Sequence, residues 1–242
     1  MVKENDKSRI IRMFHVYKNY GAKKALVDIT LDVNKNEFLF VTGPSGAGKT
    51  TLMKLLYLGE PVSEGQVLID GVNLSRISHK RLPFLRRKFG IIFQDYKLLQ
   101  SKTVFENVAL VLQAVGKKNR LIQKKVRSVL RTVGMEERLN SYPPSLSGGE
   151  QQRVAVARAV VGDPKIILAD EPTGNLDAES AGVVFDLIKR FHTRGATVII
   201  ATHNRELISK TDCRIIYLKQ GYFQSSKTVL KRDGSGSDDV IL

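Results

Sequence analysis

A glycine-rich segment early in the chain has the composition and spacing of a phosphate-binding loop. The segment consists of Gly43, Pro44, Ser45, Gly46, Ala47, Gly48, Lys49, Thr50 and Thr51. An apolar strand pattern precedes it and a helical pattern follows it, as the mechanism of such a loop requires. Backbone N–H groups would surround the phosphates, Lys49 would neutralise their β and γ oxygens, and the Thr50 hydroxyl would ligate Mg²⁺. The segment therefore predicts a site for a nucleoside triphosphate and Mg²⁺.

A second apolar strand pattern ends in two adjacent carboxylates, Asp170 and Glu171. Successive residues of a strand project to opposite sides, so the two side chains are expected to have separate roles. By itself, an apolar strand that ends in Asp-Glu is common and fits an ordinary surface position. In the same chain as a phosphate-binding loop, the pair is typical of a phosphoryl-transfer site.

The segment 146–153 combines a serine, two glycines and a glutamate ahead of an apolar run. Ser147 and Glu150 have the spacing of a capping box, which predicts the start of a helix. A capping box does not explain Gly148 and Gly149, since a glycine in a helix costs up to about 1 kcal/mol relative to alanine. Glycines in a first turn leave its N–H groups open to a second group, so the segment also has the features of an anion site.

Apolar periodicity predicts the elements that must position these residues. Two alternating segments, 10–17 and 26–33, predict antiparallel strands with one buried face. Further strands are predicted at 37–42, 65–71, 89–93, 165–169, 196–201 and 214–218, and helices at 51–58, 178–192 and 205–211, with a helical region at 103–140. Alternating strands and helices indicate an α/β fold with a mostly parallel sheet flanked by helices.

The composition is strongly basic. The 242 residues include 39 Lys and Arg against 24 Asp and Glu, which gives a formal net charge of +15. Such an excess suits an anionic partner, namely a nucleotide, a nucleic acid or the cytoplasmic face of a membrane. A solvated basic surface without a partner explains the charge equally well.

The chain lacks the sequence features of an exported or membrane-spanning protein. Its single cysteine, Cys213, cannot form an internal disulfide, and its apolar neighbours predict a packed side chain. No apolar run approaches the roughly 18 residues that span a bilayer, and the polar start does not resemble a signal peptide. We therefore expect a cytoplasmic protein that a partner or its own charge would hold at a membrane.

The motifs, and the order in which they occur along residues 10–223, resemble those of ATP-binding-cassette (ABC) ATPases. The resemblance implies a P-loop NTPase core with an antiparallel β subdomain and a helical subdomain at about 95–160, all within an ATP-binding domain at 10–224. A polar extension at 1–9 and a Ser-, Gly- and Asp-rich tail at 225–242 fall outside it. The tail is predicted to be disordered.

The resemblance also implies a role for each catalytic residue. Asp170 would serve Mg²⁺, and Glu171 would orient and polarise the attacking water. His203, just after an apolar strand, corresponds to the switch histidine and would contact the γ-phosphate. Gln94 corresponds to the glutamine that senses Mg²⁺ and the nucleophile, and would contribute to the metal site beside Thr50.

The ATP site of this family is shared between two subunits that pack head to tail. The resemblance implies that each ATP lies between one phosphate-binding loop and the partner's Ser147, Gly148 and Gly149. Asp177 would act across the same interface, although an N-cap of the following helix is an alternative that can hold simultaneously. Tyr20 would stack on adenine, whereas a Tyr near a strand end is more often a packing residue.

The short helical segment between Gln94 and Ser147 is similar to that of transporter-type subunits, whereas DNA-maintenance ABC ATPases carry long insertions there. Residues 84–99, and above all Asp95, most resemble the cell-division branch of subunits that pair with a four-helix membrane protein. An ATPase subunit of a lipoprotein-release or macrolide exporter is the first alternative. A nucleic-acid-associated ATPase is a more distant one, and we expect no direct nucleic-acid partner.

Overall fold

The computed structural model describes residues 8–209 and 211–229, and a mostly parallel sheet organises them. Its strands are β3 (Phe38–Thr42), β6 (Phe89–Ile92), β7 (Ile166–Asp170), β8 (Thr197–Ala201), β9 (Cys213–Lys219) and β10 (Tyr222–Val229). The strand order is β10-β9-β3-β8-β7-β6, and only β10 among these described strands pairs antiparallel with its neighbour. The predicted α/β class is confirmed. The apolar runs of β3 and β8 are buried on both faces, as parallel strands covered by helices must be.

A second, antiparallel sheet packs against one side of the first. It consists of β1 (Arg9–Tyr20), β2 (Lys23–Asn34), β4 (Glu64–Ile69) and β5 (Val72–Asn73), in the order β2-β1-β4-β5. The strands predicted at 10–17 and 26–33 are confirmed and pair with each other. β1 begins at Arg9, within the predicted extension at 1–9, and residues 1–7 lie outside the described part of the chain.

Helices cover both faces of the parallel sheet. They are α1 (Lys49–Leu56), α2 (Leu82–Arg86), α3 (Val104–Gln113), α4 (Asn119–Thr132), α5 (Gly148–Val160), α6 (Ala178–Thr193) and α7 (Arg205–Ser209). One core joins α1 and the antiparallel sheet to the parallel sheet, and the other joins α3 to α6 to its opposite face. The predicted helical region at 103–140 is divided because Gly116, in the left-handed conformation, ends its first helix. Cys213 is buried as predicted.

None of the helices within residues 8–209 and 211–229 has the length and apolar character that a bilayer span needs.

The prediction of a disordered tail at 225–242 is wrong for its first residues. Residues 225–229 belong to β10, whose register runs from Tyr222 opposite Lys219 to Val229 opposite Cys213. The segment is polar because it is an edge strand, and its backbone hydrogen bonds to β9 stabilise it where side-chain burial cannot. The rest of the predicted tail, 230–242, lies outside the described residues.

Asp70 joins the end of β4 to the parallel sheet. Its carboxylate accepts hydrogen bonds from Lys165 at 2.9 Å and from Lys88 at 2.6 Å. These lysines immediately precede β7 and β6, respectively. Their ammonium groups, Lys165 foremost, lower the pKa of Asp70 to about 2. The two sheets are therefore tied by a pair of charged hydrogen bonds.

Replacing Asp70 with Asn is expected to lower the free energy of unfolding at neutral pH by about 1 kcal/mol, a value reduced for solvent screening of the exposed Lys165. Since the folded pKa lies below the unfolded one, this contribution is complete above pH ~4 and is lost as the pH falls towards 2. Urea unfolding at pH 7 and pH 3 measures it. Asp186→Asn, in an exposed pair with Lys189, is the control and should change stability little at either pH. Equal losses of unfolding free energy in the Asp70 and Asp186 variants would contradict a stabilising link between the two sheets through Asp70.

Candidate active site

The glycine-rich loop connects β3 to α1 at the carboxyl edge of the parallel sheet. α1 begins after Gly48, which is left-handed, and its N-terminus has no side-chain cap. The first-turn N–H groups therefore remain available to an anion. A Cβ on Gly43 would lie 2.1 Å from the carbonyl oxygen of Leu218, and one on Gly48 would lie 2.7 Å from that of Ala25. Close contacts with neighbouring strands thus exclude side chains from the two ends of the loop.

Lys49 holds its positive charge beside the loop. Its Nζ donates hydrogen bonds to the carbonyl oxygens of Gly43 at 2.8 Å and Pro44 at 3.2 Å. The same Nζ lies 4.0 Å from Oε1 of Glu171, and the Lys49 side chain is only 10% exposed. A partly desolvated ammonium next to open backbone N–H groups makes a strong site for phosphate oxygens.

Glu171 follows the last residue of β7 in a strained backbone conformation, with φ of 45°. Its Oε2 accepts a hydrogen bond from the Thr202 hydroxyl at 3.0 Å, and its Oε1 lies 2.8 Å from Nδ1 of His203. Its own N–H donates to the carbonyl oxygen of Ala201. Two residues that follow β8 therefore hold the carboxylate in one orientation over the loop.

Asp170 and Glu171 line different cavities, as the sequence predicts. Glu171 lines the cleft of the glycine-rich loop, whereas Asp170 lines the adjoining cavity beside Met53. The physical reason differs from strand alternation, because Glu171 lies beyond β7 and its left-handed backbone redirects the side chain. Thr50 and Gln94 line both cavities.

The Oδ1 atom of Asp170 is buried and has no hydrogen-bond partner among the described residues. Burial raises the pKa of this carboxyl above its usual value, while a hydrogen bond with Thr50 lowers it. An ionised carboxylate oxygen in such a place is costly unless a cation or a donor satisfies it. The hard oxygens of Asp170 and Thr50, with the Gln94 amide in the same cavity, match the ligands that Mg²⁺ prefers.

The cleft brings together most of the residues that the sequence predicts for nucleotide binding and catalysis. Its lining consists of Tyr20, Lys23, Ala25, residues 43–51, Gln94, Glu171 and His203. The lining does not include Ser147, Gly148, Gly149 or Asp177. Within one chain, the predicted site residues therefore form two groups, those that line the cleft and those that lie outside it.

Tyr20 lies at the edge of the cleft and is 40% exposed. The ammonium of Lys18 lies 4.9 Å from the centroid of its ring. Hydrogen bonds from Tyr20 and Lys18 lower the pKa of Glu60 to about 2. The ring is therefore held in place by charged neighbours while part of it remains open to the cleft.

Two hydrogen bonds join Gln94 and Asn175. The side-chain amide of Gln94 donates to Oδ1 of Asn175, and the side-chain amide of Asn175 donates to the backbone carbonyl oxygen of Gln94, both at 3.3 Å. Asp177, two residues on, caps α6 by accepting a 2.8 Å hydrogen bond from the N–H of Ser180. The N-cap alternative for Asp177 is confirmed, and a role across an interface stays a prediction.

Ser147 and Glu150 form the predicted capping box at the start of α5. The Ser147 hydroxyl accepts from the N–H of Glu150 at 3.2 Å, and the Glu150 carboxylate accepts from the N–H of Ser147 at 2.8 Å. The glycines between them have a packing function within this chain as well. A Cβ on Gly149 would lie 2.6 Å from the hydroxyl oxygen of Ser180, and one on Gly148 would lie 2.9 Å from that of Tyr96.

Two side chains of α5 that carry no signal in the sequence pattern, Arg158 and Gln152, donate hydrogen bonds to backbone carbonyl oxygens of neighbouring loops. The guanidinium of Arg158 donates to the carbonyl oxygens of Tyr96 at 2.7 Å and Lys97 at 2.5 Å. Both residues have left-handed backbones, with φ of 57° and 50°. Gln152 is fully buried and donates to the carbonyl oxygen of Pro172 at 2.6 Å. α5 therefore connects the segment after Gln94 with the loop after Glu171.

The phosphate-binding loop after β3 and the carboxylate pair at the end of β7 lie at the same edge of the parallel sheet, and a glycine-containing helix start begins α5 outside the cleft. This combination defines an ATP-hydrolysing P-loop protein of the cassette class. The match to the family described as ABC transporter covers residues 26–174. The chain belongs to this family of ABC transporter ATPases. It binds ATP and hydrolyses it.

Relatives and solved structures agree with this assignment. The cell division ATP-binding protein FtsE of Bacillus subtilis (strain 168) is 44% identical, over 88% of this chain and 93% of the relative. FtsE of Escherichia coli (strain K12) is 43% identical, over 88% and 96%. The dimeric ATP-binding cassette MJ0796, bound to ADP and Pi after hydrolysis, has a TM-score of 0.85 at 32% identity and covers 92% of this chain and 100% of its own.

Proposed function

We propose that this chain is the Mg²⁺-dependent ATPase subunit of a membrane ABC complex that acts in bacterial cell division. It works as an ATP-bridged homodimer at the cytoplasmic face of the inner membrane, bound to a permease of the FtsX type. ATP cycling moves the permease and so regulates septal peptidoglycan hydrolysis. The observation that carries the catalytic part is the Glu171 carboxylate, positioned by Thr202 and His203 beside Lys49.

Within each site, Glu171 orients and polarises the attacking water. The hydrogen bond from Thr202 and the 2.8 Å contact with His203 keep its carboxylate directed into the cleft. Lys49 and the N–H groups at the start of α1 bind the β- and γ-phosphates, and exposed His203 contacts the γ-phosphate. Catalysis in this arrangement comes from positioning and charge stabilisation.

Asp170, Thr50 and Gln94 would hold Mg²⁺. The unpartnered, buried Oδ1 of Asp170 supports this assignment. When bound, the ion neutralises negative charge that develops on the phosphate oxygens. Tyr20 stacks on the adenine at the other end of the cleft.

The second half of the ATP site comes from another copy of the chain. Ser147, Gly148 and Gly149 carry the N–H groups of a second helix start, yet they do not line the cleft of their own chain. A head-to-tail dimer brings them onto the γ-phosphate of the partner's ATP, with Asp177 beside them. ATP then holds the dimer closed, and hydrolysis releases it.

The cell-division assignment is supported by the FtsE relatives, because the match to this chain covers nearly the full length of each of them. The permease would bind beside Gln94, on the segment 96–99. Leu99 in this segment is 46% exposed, whereas Leu98 is 6% exposed and belongs to the core that contains α3 and α5. The sequence does not distinguish the two leucines, and only Leu99 is available to a partner.

Replacing Leu99 with Glu is expected to reduce co-purification with the FtsX-type permease by about tenfold, the effect of losing one apolar anchor from an interface. Nucleotide binding should be unchanged because Leu99 does not line the cleft. Leu121→Glu is the matched control, since Leu121 is 37% exposed on α4. Wild-type recovery of the permease with the Leu99 variant, or an equal loss with the Leu121 variant, would rule out this docking surface.

A further inference from the structure

The segment between β5 and β6 concentrates positive charge on the surface. No acidic residue occurs between Asp70 and Asp95, whereas six lysines and arginines do. The exposed lysine, arginine and phenylalanine residues of this segment are Arg76, Lys80, Arg81, Phe84, Arg86 and Arg87, which we call the α2 patch. Lys88, the sixth cation of the segment, is partly buried and forms an ion pair with Asp70. The patch therefore presents a basic surface that does not line the nucleotide cleft.

Phe84 makes this surface different from an ordinary basic face. Its side chain is 62% exposed, the highest value among large apolar residues in the part of the chain that the structure describes. The guanidinium of Arg87 lies 4.6 Å from the centroid of its ring. An exposed aromatic ring flanked by cations combines an apolar anchor with charges that bind phosphates, as at membrane interfaces.

The position of the patch is fixed by a contact with the end of α1. Arg86 donates a 2.7 Å hydrogen bond to the carbonyl oxygen of Leu58. Tyr57, the preceding residue, packs edge-on against Phe93 with ring centroids 6.4 Å apart. Phe93 adjoins Gln94, so the α2 patch lies next to the segment that receives the permease under the proposed function. The orientation of the patch towards the bilayer rests on that proposal.

We propose that the α2 patch binds anionic phospholipid headgroups directly. Its arginines and Lys80 contact lipid phosphates, and Phe84 enters the boundary between headgroups and acyl chains. Nucleic acid is the less favoured ligand, because single-stranded nucleic acids stack on successive aromatic rings. Phe84 is the one exposed aromatic side chain between residues 71 and 94. This contact gives the subunit a weak affinity for the membrane lipids, in addition to its binding to the permease.

The exposed face of α4 supplies a matched comparison within the same chain. Arg120, Lys124 and Arg127 are exposed there beside Leu121, and no acidic residue occurs between Glu106 and Glu136. This face has a similar density of positive charge but lacks an exposed aromatic ring. If net charge alone caused binding, the two faces would contribute equally.

The test measures co-sedimentation of the full chain with vesicles of phosphatidylcholine, with or without roughly one third phosphatidylglycerol, at physiological salt. The wild-type chain should bind only the anionic vesicles. A triple variant, Arg81→Gln, Phe84→Ser and Arg87→Gln, should bind them about tenfold more weakly, since each cation and the ring add to the partition free energy. The α4 variant, Arg120→Gln, Leu121→Ser and Lys124→Gln, should bind within about twofold of wild type.

Equal losses in the two variants, or undiminished binding by the α2 variant, would overturn the proposal. Loss of binding to a labelled DNA oligonucleotide but not to vesicles would also overturn it, in favour of nucleic acid. Unchanged ATP hydrolysis and thermal unfolding in both triple variants confirm that they are folded. The assay contains no permease, so its result is independent of the co-purification test at Leu99.

Discussion

Replacing Glu171 with Gln is expected to lower kcat for ATP hydrolysis by about 10²–10⁴ while leaving ATP affinity nearly unchanged. The amide has the shape of the carboxylate but cannot accept a proton from water or attract it electrostatically. Lys49 and the N–H groups at the start of α1, which bind phosphate, are not altered. ATP should therefore bind and remain, and the variant should accumulate as an ATP-bound dimer.

Phosphate release and size-exclusion chromatography with ATP measure these two effects on the Glu171 variant. Glu136→Gln is the control for loss of one negative charge, since Glu136 forms an exposed ion pair with Arg131 and neither residue lines the cleft. The control should keep wild-type turnover and should not trap a dimer. A Glu171 variant with wild-type turnover would show that another group activates the water.

Replacing Ser147 with Asp is expected to reduce turnover by about 10²-fold, because a carboxylate at this position would repel the γ-phosphate of a partner's ATP. Asp is as good an N-cap as Ser, so the helix start at the Glu150 N–H should be preserved. Binding of ATP to the isolated chain should be unchanged, since Ser147 does not line its cleft. The variant should therefore separate nucleotide binding from turnover.

Ser147→Asn is the matched control, since Asn has the shape and capping ability of Asp without its charge. It should lose less turnover than the Asp variant, and thermal unfolding of both should stay near wild type. The comparison is made with kcat, with ATP affinity of the monomer and with ATP-induced dimer formation. Weakened ATP affinity in the isolated Asp variant would place Ser147 next to the chain's own nucleotide instead of its partner's.

Elements with strong apolar periodicity were predictable from the sequence. β3, β7 and β8 are continuous apolar runs, and the functional residues follow them because parallel strands end at one edge of the sheet. β10 was not predicted, since the pairing of a polar edge strand depends on β9 and not on its own side chains. Likewise, the sequence pattern could not distinguish buried Leu98 from exposed Leu99.

The contacts that position the site were less predictable than its motif residues. Thr202 binds Glu171 across 31 positions of sequence, and Asn175 binds Gln94 across 81. Such pairs depend on which strands become neighbours, which no local pattern specifies. The left-handed backbone of Glu171 is also invisible in the sequence, because a non-glycine residue adopts it only where its surroundings enforce it. Thr202 had one detectable signal, its position between β8 and His203.

The central claim is that each ATP site is built from two copies of the chain, and mixing two inactive variants tests it most directly. Lys49→Ala removes the ammonium that binds phosphate in the chain's own cleft. Ser147→Asp disrupts the part of the ATP site that the chain contributes to its partner. A mixed dimer retains one intact site, formed by Lys49 of one copy and Ser147 of the other. ATP hydrolysis by the mixture should rise clearly above that of either variant alone. Hydrolysis that remains at the average of the two variants would contradict a shared site.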